Sequence, residues 1–204
     1  MKIRIICSAE RALRPPSRCS SLELSRLRDA ALAGAVIPEG ARVLNAEGMT
    51  LFVSPRAAAA ETAAALVKGA EARPEPLLDE TPLPEILPGR VIPSILLRLL
   101  ISLRRLLGVG AAPERRRADE LADRLESEEK DCVLVTHPGF AAVLIDRLRP
   151  RGYCARRTGM GRIKPLEFIL LSRRDEHCGG CLHNCLLSNP GCGVGRDKAA
   201  RRKR

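Results

Sequence analysis

The chain has 204 residues, of which 45% are apolar, so it is long and apolar enough to fold around one core of ordinary size. Aromatic residues make up only 2%, and this scarcity argues against a stacking platform for single-stranded nucleic acid. The net charge is +11, but outside residues 196–204 the basic side chains form no cluster of the kind that a duplex-binding face needs.

Strands and helices are predicted to alternate along most of the chain, because β-branched runs of strand length take turns with leucine or alanine patterns of helical spacing. The predicted order is strand 2–7, helix 22–33, strand 49–53, helix 56–70, a proline-rich loop 74–93, helix 94–107, helix 114–128, strand 131–135, helix 140–148 and strand 165–172. This alternation predicts an α/β fold, a three-layer sandwich with a mostly parallel sheet and helices on both faces.

The helix predicted over 94–107 is amphipathic. Leucines recur at helical spacing, and Arg98 and Arg105 share a polar face. A transmembrane span needs roughly 20 apolar residues without charge, and three arginines interrupt this stretch, so no membrane span is predicted. Two interpretations stay open: a helix that covers a core or a lid, and a helix that binds a membrane surface or a partner.

The chain start lacks the pattern of a secretory signal, because the first apolar run soon meets Glu10 and Arg11. We therefore expect a cytoplasmic protein whose thiols stay reduced.

Polar side chains follow three of the predicted strands. The first strand leads into residues 7–10 (Cys-Ser-Ala-Glu), the second into residues 54–56 (Ser-Pro-Arg), and the third into residues 136–139 (Thr-His-Pro-Gly). Ligands of parallel α/β sheets bind outside the carboxyl ends of the strands. The position of His137 at such an end indicates a functional residue.

Three segments resemble those of a known family. Residues 49–63 (MTLFVSPRAAAAETA) are similar to the strand, Ser-Pro and helix segment of the histidine phosphatase superfamily, which has the phosphoglycerate-mutase-like fold. Residues 132–140 (CVLVTHPGF) resemble the segment with that family's second histidine, and residues 78–80 (LDE) resemble its acid segment. The segments follow the family's order, and the resemblance covers about residues 1–172.

The resemblance implies roles for individual residues. In the family an imidazole nucleophile attacks phosphorus, arginines and a second histidine hold the phosphoryl oxygens, and a carboxylic acid protonates the leaving group. By position, His137 is the second histidine, Glu80 is the acid, and Arg56 lies near the place of the second arginine. Glu10 matches the last residue of the family's first motif, Arg-His-Gly-Glu.

The first motif departs from the family. Ser8 stands at the position of the nucleophilic histidine, and Cys7 at that of the first phosphate-binding arginine. Serine needs a base such as His137, and Cys7 would act as a thiolate beside arginines. Arg11, Arg14 or Arg56 would keep the pocket anion-binding.

We therefore predict a protein that has lost the phosphohistidine nucleophile and binds a phosphorylated small molecule or protein. The alternative is an active phosphatase on small phosphate esters with an altered nucleophile.

Four cysteines near the end of the chain have the spacing C-x2-C-x3-C-x6-C: Cys178, Cys181, Cys185 and Cys192. Four thiolates are a full ligand set for zinc or for an iron–sulfur cluster, and zinc is favoured because neither ferredoxin spacing matches. The predicted organisation is an α/β domain over 1–174, a metal-binding segment over 175–195 and a basic tail over 196–204. The tail is either solvated or binds RNA or an acidic partner.

Overall fold

A computed structural model describes residues 1–80, 82–106, 112–157 and 161–173. The four clustered cysteines, the zinc or iron–sulfur site predicted on them and the basic tail lie outside the described residues. Within these residues the chain has an α/β fold with a mostly parallel central sheet, as predicted. No helix of the described part has the length and hydropathy needed to cross a bilayer.

The elements of the described part follow in chain order. The strands are β1 (Lys2–Cys7), β2 (Arg18–Cys19), β3 (Leu44–Asn45), β4 (Thr50–Val53), β5 (Val67–Lys68), β6 (Ala72–Pro74), β7 (Ile92–Pro93), β8 (Cys132–Thr136), β9 (Tyr153–Arg157) and β10 (Phe168–Arg173). The helices are α1 (Ser21–Leu32), α2 (Ala57–Leu66), α3 (Ser94–Leu106), α4 (Ala112–Glu128) and α5 (Pro138–Leu148), with 3₁₀ turns at Pro76–Leu78 and Arg149–Arg151.

Six strands form the central sheet in the order β6-β4-β8-β1-β10-β9. The first four of these are parallel, whereas β10 runs antiparallel to β1 and to β9. Strand β8 lies between β4 and β1 and is buried along its whole length, which suits its uninterrupted apolar sequence. In this register Thr136 lies beside Cys7, and Val135 beside Val53, so the ends of three strands meet at one edge.

Helices cover both faces of the sheet. On one face α4 and α5 pack against Ile3 and Ile5 of β1 in the larger core cluster. On the other face α2 packs against Ile6 in a second cluster. The alternation along β1 follows from the period-2 geometry of a strand.

The structure differs from the predicted elements in several places, since β9 and the short strands β2, β3, β5, β6 and β7 lie outside the predicted strands. The helix predicted over 56–70 ends at Leu66, because Val67 takes an extended backbone and pairs with Leu44 of β3. Strand β9 was not predicted, since its sequence lacks apolar alternation; it forms as the edge partner of β10.

Helix α3 forms over almost the predicted range and covers a small third cluster. Leu97 and Ile101 pack there with Cys19. The pairing of β2 with β7 holds the start of α3 against the segment before α1. The opposite face of α3 is exposed.

Candidate functional site

The ends of β1, β4 and β8 bring three polar side chains together. The Ser8 N–H donates to the Thr136 carbonyl at 2.7 Å, and the Ser54 N–H donates to the Val135 carbonyl at 2.9 Å. These bonds extend the parallel ladders by one residue, so Ser8 and Ser54 lie on either side of His137. We call these three residues, together with Glu10 and Glu80, the strand-end cluster.

The imidazole of His137 is fully buried, and both of its nitrogens have partners. Nδ1 lies 2.7 Å from Ser8 Oγ and 3.2 Å from Glu10 Oε1, and Nε2 lies 3.1 Å from Ser54 Oγ. Pro138 occupies the first turn of α5, and His137 is the residue that precedes this helix. The ring is therefore fixed by its helix and by three side chains.

The contacts of His137 assign its neutral tautomer. A carboxylate beside Nδ1 favours a proton on that nitrogen, which then donates toward Ser8 Oγ and Glu10. Nε2 is left with its lone pair and accepts the hydroxyl proton of Ser54. In this arrangement the basic nitrogen of the imidazole faces Ser54, and Ser8 is an acceptor that donates its own proton toward Glu10 at 3.4 Å.

Glu80 follows the 3₁₀ turn Pro76–Leu78 and is buried. Its carboxylate forms an ion pair with Arg28 of α1, a residue that no sequence motif indicated. Gly139 makes this approach possible: a Cβ there would lie 2.4 Å from Glu80 Oε1. The predicted acid thus lies within the cluster and is already paired with a cation.

The two predicted arginines lie differently. Arg56 donates from Nε to Asp79 Oδ1 at 2.8 Å and lies 3.5 Å from Asp29. The hydrogen bond to Asp79 raises the pKa of Arg56 above its usual range. Arg11 is exposed, and its guanidinium lies against Gly34 near the end of α1.

Cys7 belongs to the core cluster under α4 and α5 rather than to the group around His137. Burial, followed by the nearby Glu167 and Glu10, raises the pKa of its thiol far above the usual range. A thiol held in this way stays protonated, and this weighs against a thiolate nucleophile.

Three groups of the cluster have metal-ligand atoms near one another. Single ligand atoms of Glu10, Glu80 and His137 all lie within 4.8 Å of each other. A divalent cation there would have two carboxylates and one imidazole. In the described structure these ligand atoms already have partners: Arg28 pairs with Glu80, and serine hydroxyls contact Glu10 and His137.

The charge of the strand-end cluster does not suit a phosphate dianion. Its carboxylates, Glu10 and Glu80, each have an oxygen within 4.8 Å of the other and of His137, and the guanidinium of Arg28 is paired with Glu80. A bound phosphate requires cations that are not already neutralised by acids. The anion-binding groups must therefore be sought next to the cluster.

An arginine-rich cleft of about 910 Å³ lies beside the cluster, on the outer side of Gly139. It is bounded by the first turn of α4, one side of α5 from its start to the residues after its end, the loop 82–84, the end of β9 and residues 161–163. Two acids, Glu114 and Asp146, line it. Six arginines also line it: Arg115, Arg117, Arg147, Arg149, Arg157 and Arg162.

Three of the cleft arginines are paired with carboxylates. Arg147 binds Asp119 through two nitrogens at 2.8 and 2.9 Å, and Arg157 binds Glu167 in the same manner at 2.8 and 3.1 Å. Arg149 lies 3.1 Å from Asp146.

The other three are Arg115, Arg117 and Arg162, and none of them forms an ion pair with a residue that the structure describes. Arg117 instead donates to the Asp79 carbonyl at 2.7 Å and lies 4.6 Å from the Phe140 ring. Arg115 and Arg162 are exposed. These three guanidinium groups share the cleft with the start of α5, whose first N–H groups have no helical acceptor.

Sequence patterns did not indicate the cleft, because its arginines come from four separate segments of the chain. The sequence places Ser54 at a strand end but indicates no role for its side chain. Only the orientation of the His137 ring shows that Ser54 holds Nε2.

No protein-family profile matches this sequence, and no curated protein matches it.

Proposed function

We propose that this protein is a histidine-phosphatase-like protein that binds a phosphorylated small molecule or protein without forming phosphohistidine. The observation that carries the proposal is the arginine-rich cleft beside His137, with three guanidinium groups that have no carboxylate partner among the described residues. The loss of the nucleophile rests on Ser8, which occupies the place of the family's reactive imidazole.

The electrostatics of the cleft favour a phosphate ester over a simple carboxylate. A phosphate monoester carries close to two negative charges and three oxygens, and several guanidinium groups can bind them at once. The N-terminus of α5 adds the positive end of a helix dipole at Gly139. Leu83 and Ile163 give the cleft an apolar wall for the organic part of an ester.

The test is titration calorimetry with p-nitrophenyl phosphate at low salt. In the double variant Arg115→Gln/Arg162→Gln we expect affinity to fall by at least about tenfold, because each charge-assisted contact contributes about 1.5–3 kcal/mol. Both residues are exposed, so the fold should be preserved.

The matched control is Arg116→Gln. Arg116 is exposed on the same turn of α4 but does not line the cleft. Its replacement should leave the affinity within about twofold of wild type. Equal losses in Arg116→Gln and in the double variant, or no loss in either, would contradict the cleft as the binding site.

A second candidate function is an active phosphatase with an altered nucleophile. The hydrogen bonds of His137 with the two serines Ser8 and Ser54 favour it, since a serine nucleophile needs an adjacent base. Turnover of p-nitrophenyl phosphate by the wild type, abolished in Ser8→Ala and retained in Ser54→Ala, would support this function. With the imidazole proton on Nδ1, Ser54 is instead the hydroxyl that His137 can deprotonate. Loss of turnover in Ser54→Ala alone would therefore identify Ser54 as the nucleophile.

The proposal includes a metal-bound segment at residues 178–192. Four thiolates at this spacing suit zinc, with an iron–sulfur cluster as the alternative. Elemental analysis of the purified protein should find about one zinc per chain. Iron with absorption near 400 nm would assign an iron–sulfur cluster instead. The absence of both zinc and iron would refute the metal site. Salt-dependent RNA binding that requires residues 178–204 would make the tail the functional part.

A further inference from the structure

Helix α3 has apolar residues on two opposite faces. Leu97 and Ile101 are buried in the third cluster. On the other side Ile95 is 84% exposed and Leu99 is 62% exposed, and Leu103 continues the same row one turn later. Residues four apart lie on one helix face, so these three side chains form an apolar stripe in contact with solvent.

Most of the exposed apolar side chains of the described structure lie around this stripe. Eight of its ten exposed large hydrophobic residues fall within residues 13–22 and 87–103: Leu13, Leu22, Leu87, Val91, Ile95, Leu96, Leu99 and Leu103. The two segments are joined, because Arg18 and Cys19 of β2 pair with Ile92 and Pro93 of β7. An apolar concentration of this kind marks a surface that contacts something other than water.

The charges of the same two segments have one sign. Arg14, Arg18, Arg90 and Arg98 are all exposed there, and neither segment contains an aspartate or a glutamate. The surface thus combines aliphatic side chains with arginines and lacks acids. We call these two segments the α3 surface.

We propose that the α3 surface binds peripherally to an anionic lipid bilayer, with the apolar stripe of α3 inserted among the lipid chains at the interface. A helix with one leucine-rich face and flanking arginines is the pattern of an interfacial helix. The arginines reach toward lipid phosphates, while their alkyl stems lie along the apolar region.

A bilayer fits this surface better than a folded protein partner. The central residues of protein interfaces are enriched in tryptophan and tyrosine, whereas the α3 surface contains only aliphatic large side chains. Its single-sign charge matches the anionic surface of a membrane, which attracts nearby arginines and lysines.

The experiment is flotation of the full-length protein with vesicles. One set contains phosphatidylcholine alone, and the other contains phosphatidylcholine mixed with phosphatidylglycerol. Wild type should bind the anionic vesicles at least about tenfold more tightly, and binding should weaken as salt rises. Leu99→Glu should reduce anionic-vesicle binding at least about tenfold, because it replaces an apolar side chain of the inserted stripe with a negatively charged one.

The matched control is Val43→Glu. Val43 is 52% exposed, a fraction similar to the 62% of Leu99, but Val43 lies outside both segments of the α3 surface. The two variants have the same net charge, so vesicle binding retained in Val43→Glu and lost in Leu99→Glu would support insertion of the stripe. Both variants should keep the circular dichroism spectrum of the wild type.

Three outcomes would overturn the proposal. One is no binding to either vesicle. Another is equal binding by Leu99→Glu and Val43→Glu, which would assign the attraction to another basic part such as residues 196–204. The third is a concentration-dependent dimer that Leu99→Glu abolishes without any vesicle binding, which would make the surface an interface between two copies of the chain.

Discussion

The strand-end cluster and the arginine-rich cleft are neighbours across Gly139, yet they use their polar groups in opposite ways. In the cluster the polar groups of His137, Ser8 and Ser54 bind one another and are buried. In the cleft three guanidinium groups, those of Arg115, Arg117 and Arg162, form no ion pair within the described chain. Residue types with catalytic potential are thus engaged with one another in one region, and we expect the arginines of the other region to be the groups that a ligand contacts.

The largest expected effect comes from His137→Ala. The change leaves a cavity at the strand ends and removes the partner of two buried serine hydroxyls, so unfolding free energy should fall by about 3 kcal/mol. Urea denaturation measures it, with Arg115→Gln as an exposed control expected to stay within about 0.5 kcal/mol of wild type. A His137→Ala protein of unchanged stability that no longer binds p-nitrophenyl phosphate would reverse the comparison and make the cluster the ligand site.

Gly139→Ala tests the border between the two regions. The new methyl group would lie 2.4 Å from Glu80 Oε1, so the carboxylate must shift from its position beside Arg28. We expect a loss of about 1–3 kcal/mol in unfolding free energy. In a Glu80→Ala background, Gly139→Ala should reduce the unfolding free energy by less, because the obstructing carboxylate is gone. Additive effects of the two substitutions would rule out this contact as the reason for glycine.

Alkaline pH should lower the free energy of unfolding through two thiols buried in the sheet, Cys7 and Cys132. Burial raises the pKa of the Cys7 thiol, and it raises the pKa of the Cys132 thiol to about 12 from an ordinary 9.0. As pH rises above 9.0 the unfolded chain loses these thiol protons while the folded chain keeps them, so stability declines between pH 9.0 and about 12. Urea midpoints across this range should fall less steeply in Cys7→Ala/Cys132→Ala. Parallel curves for the two proteins would assign the decline to other groups.

The sequence predicted the sheet better than it predicted the cleft, for a physical reason. The apolar runs of β1 and β8 must be buried on both faces, and a parallel sheet then places Ser8 beside His137. Local composition is enough for that step. Strand β9 has no apolar alternation, since it lies at the sheet edge and its position depends on β10.

Tertiary pairing explains what the sequence could not predict at the site. Arg28 lies on α1 and reaches Glu80 only after α1 has packed. Whether an arginine is paired cannot be derived from its neighbours in the chain, and the carboxylate partners of Arg147 and Arg157 lie 28 and 10 residues away. The sequence located the strand ends, but the balance of charge there depends on side-chain contacts between distant elements.

The smallest effect on stability belongs to Asp119 at the edge of the cleft. The hydrogen bond from Arg147 lowers the pKa of Asp119 below its usual 3.8, so its contribution is present above that pH and is lost as pH falls through the lowered value. The pair is largely exposed to solvent, so Asp119→Asn should cost only about 0.5 kcal/mol at neutral pH.

The same substitution should strengthen binding in the cleft. Arg147 lines the cleft, and without the Asp119 carboxylate the positive charge of its guanidinium is no longer neutralised, so a ligand can pair with it. We expect p-nitrophenyl phosphate to bind about two- to fivefold more tightly, measured by calorimetry at low salt. Asp123→Asn is the control, since Asp123 pairs with Arg151, which does not line the cleft. Weaker binding in Asp119→Asn would mean that Arg147 is needed in its paired position, and that orientation rather than available charge decides anion binding in this region.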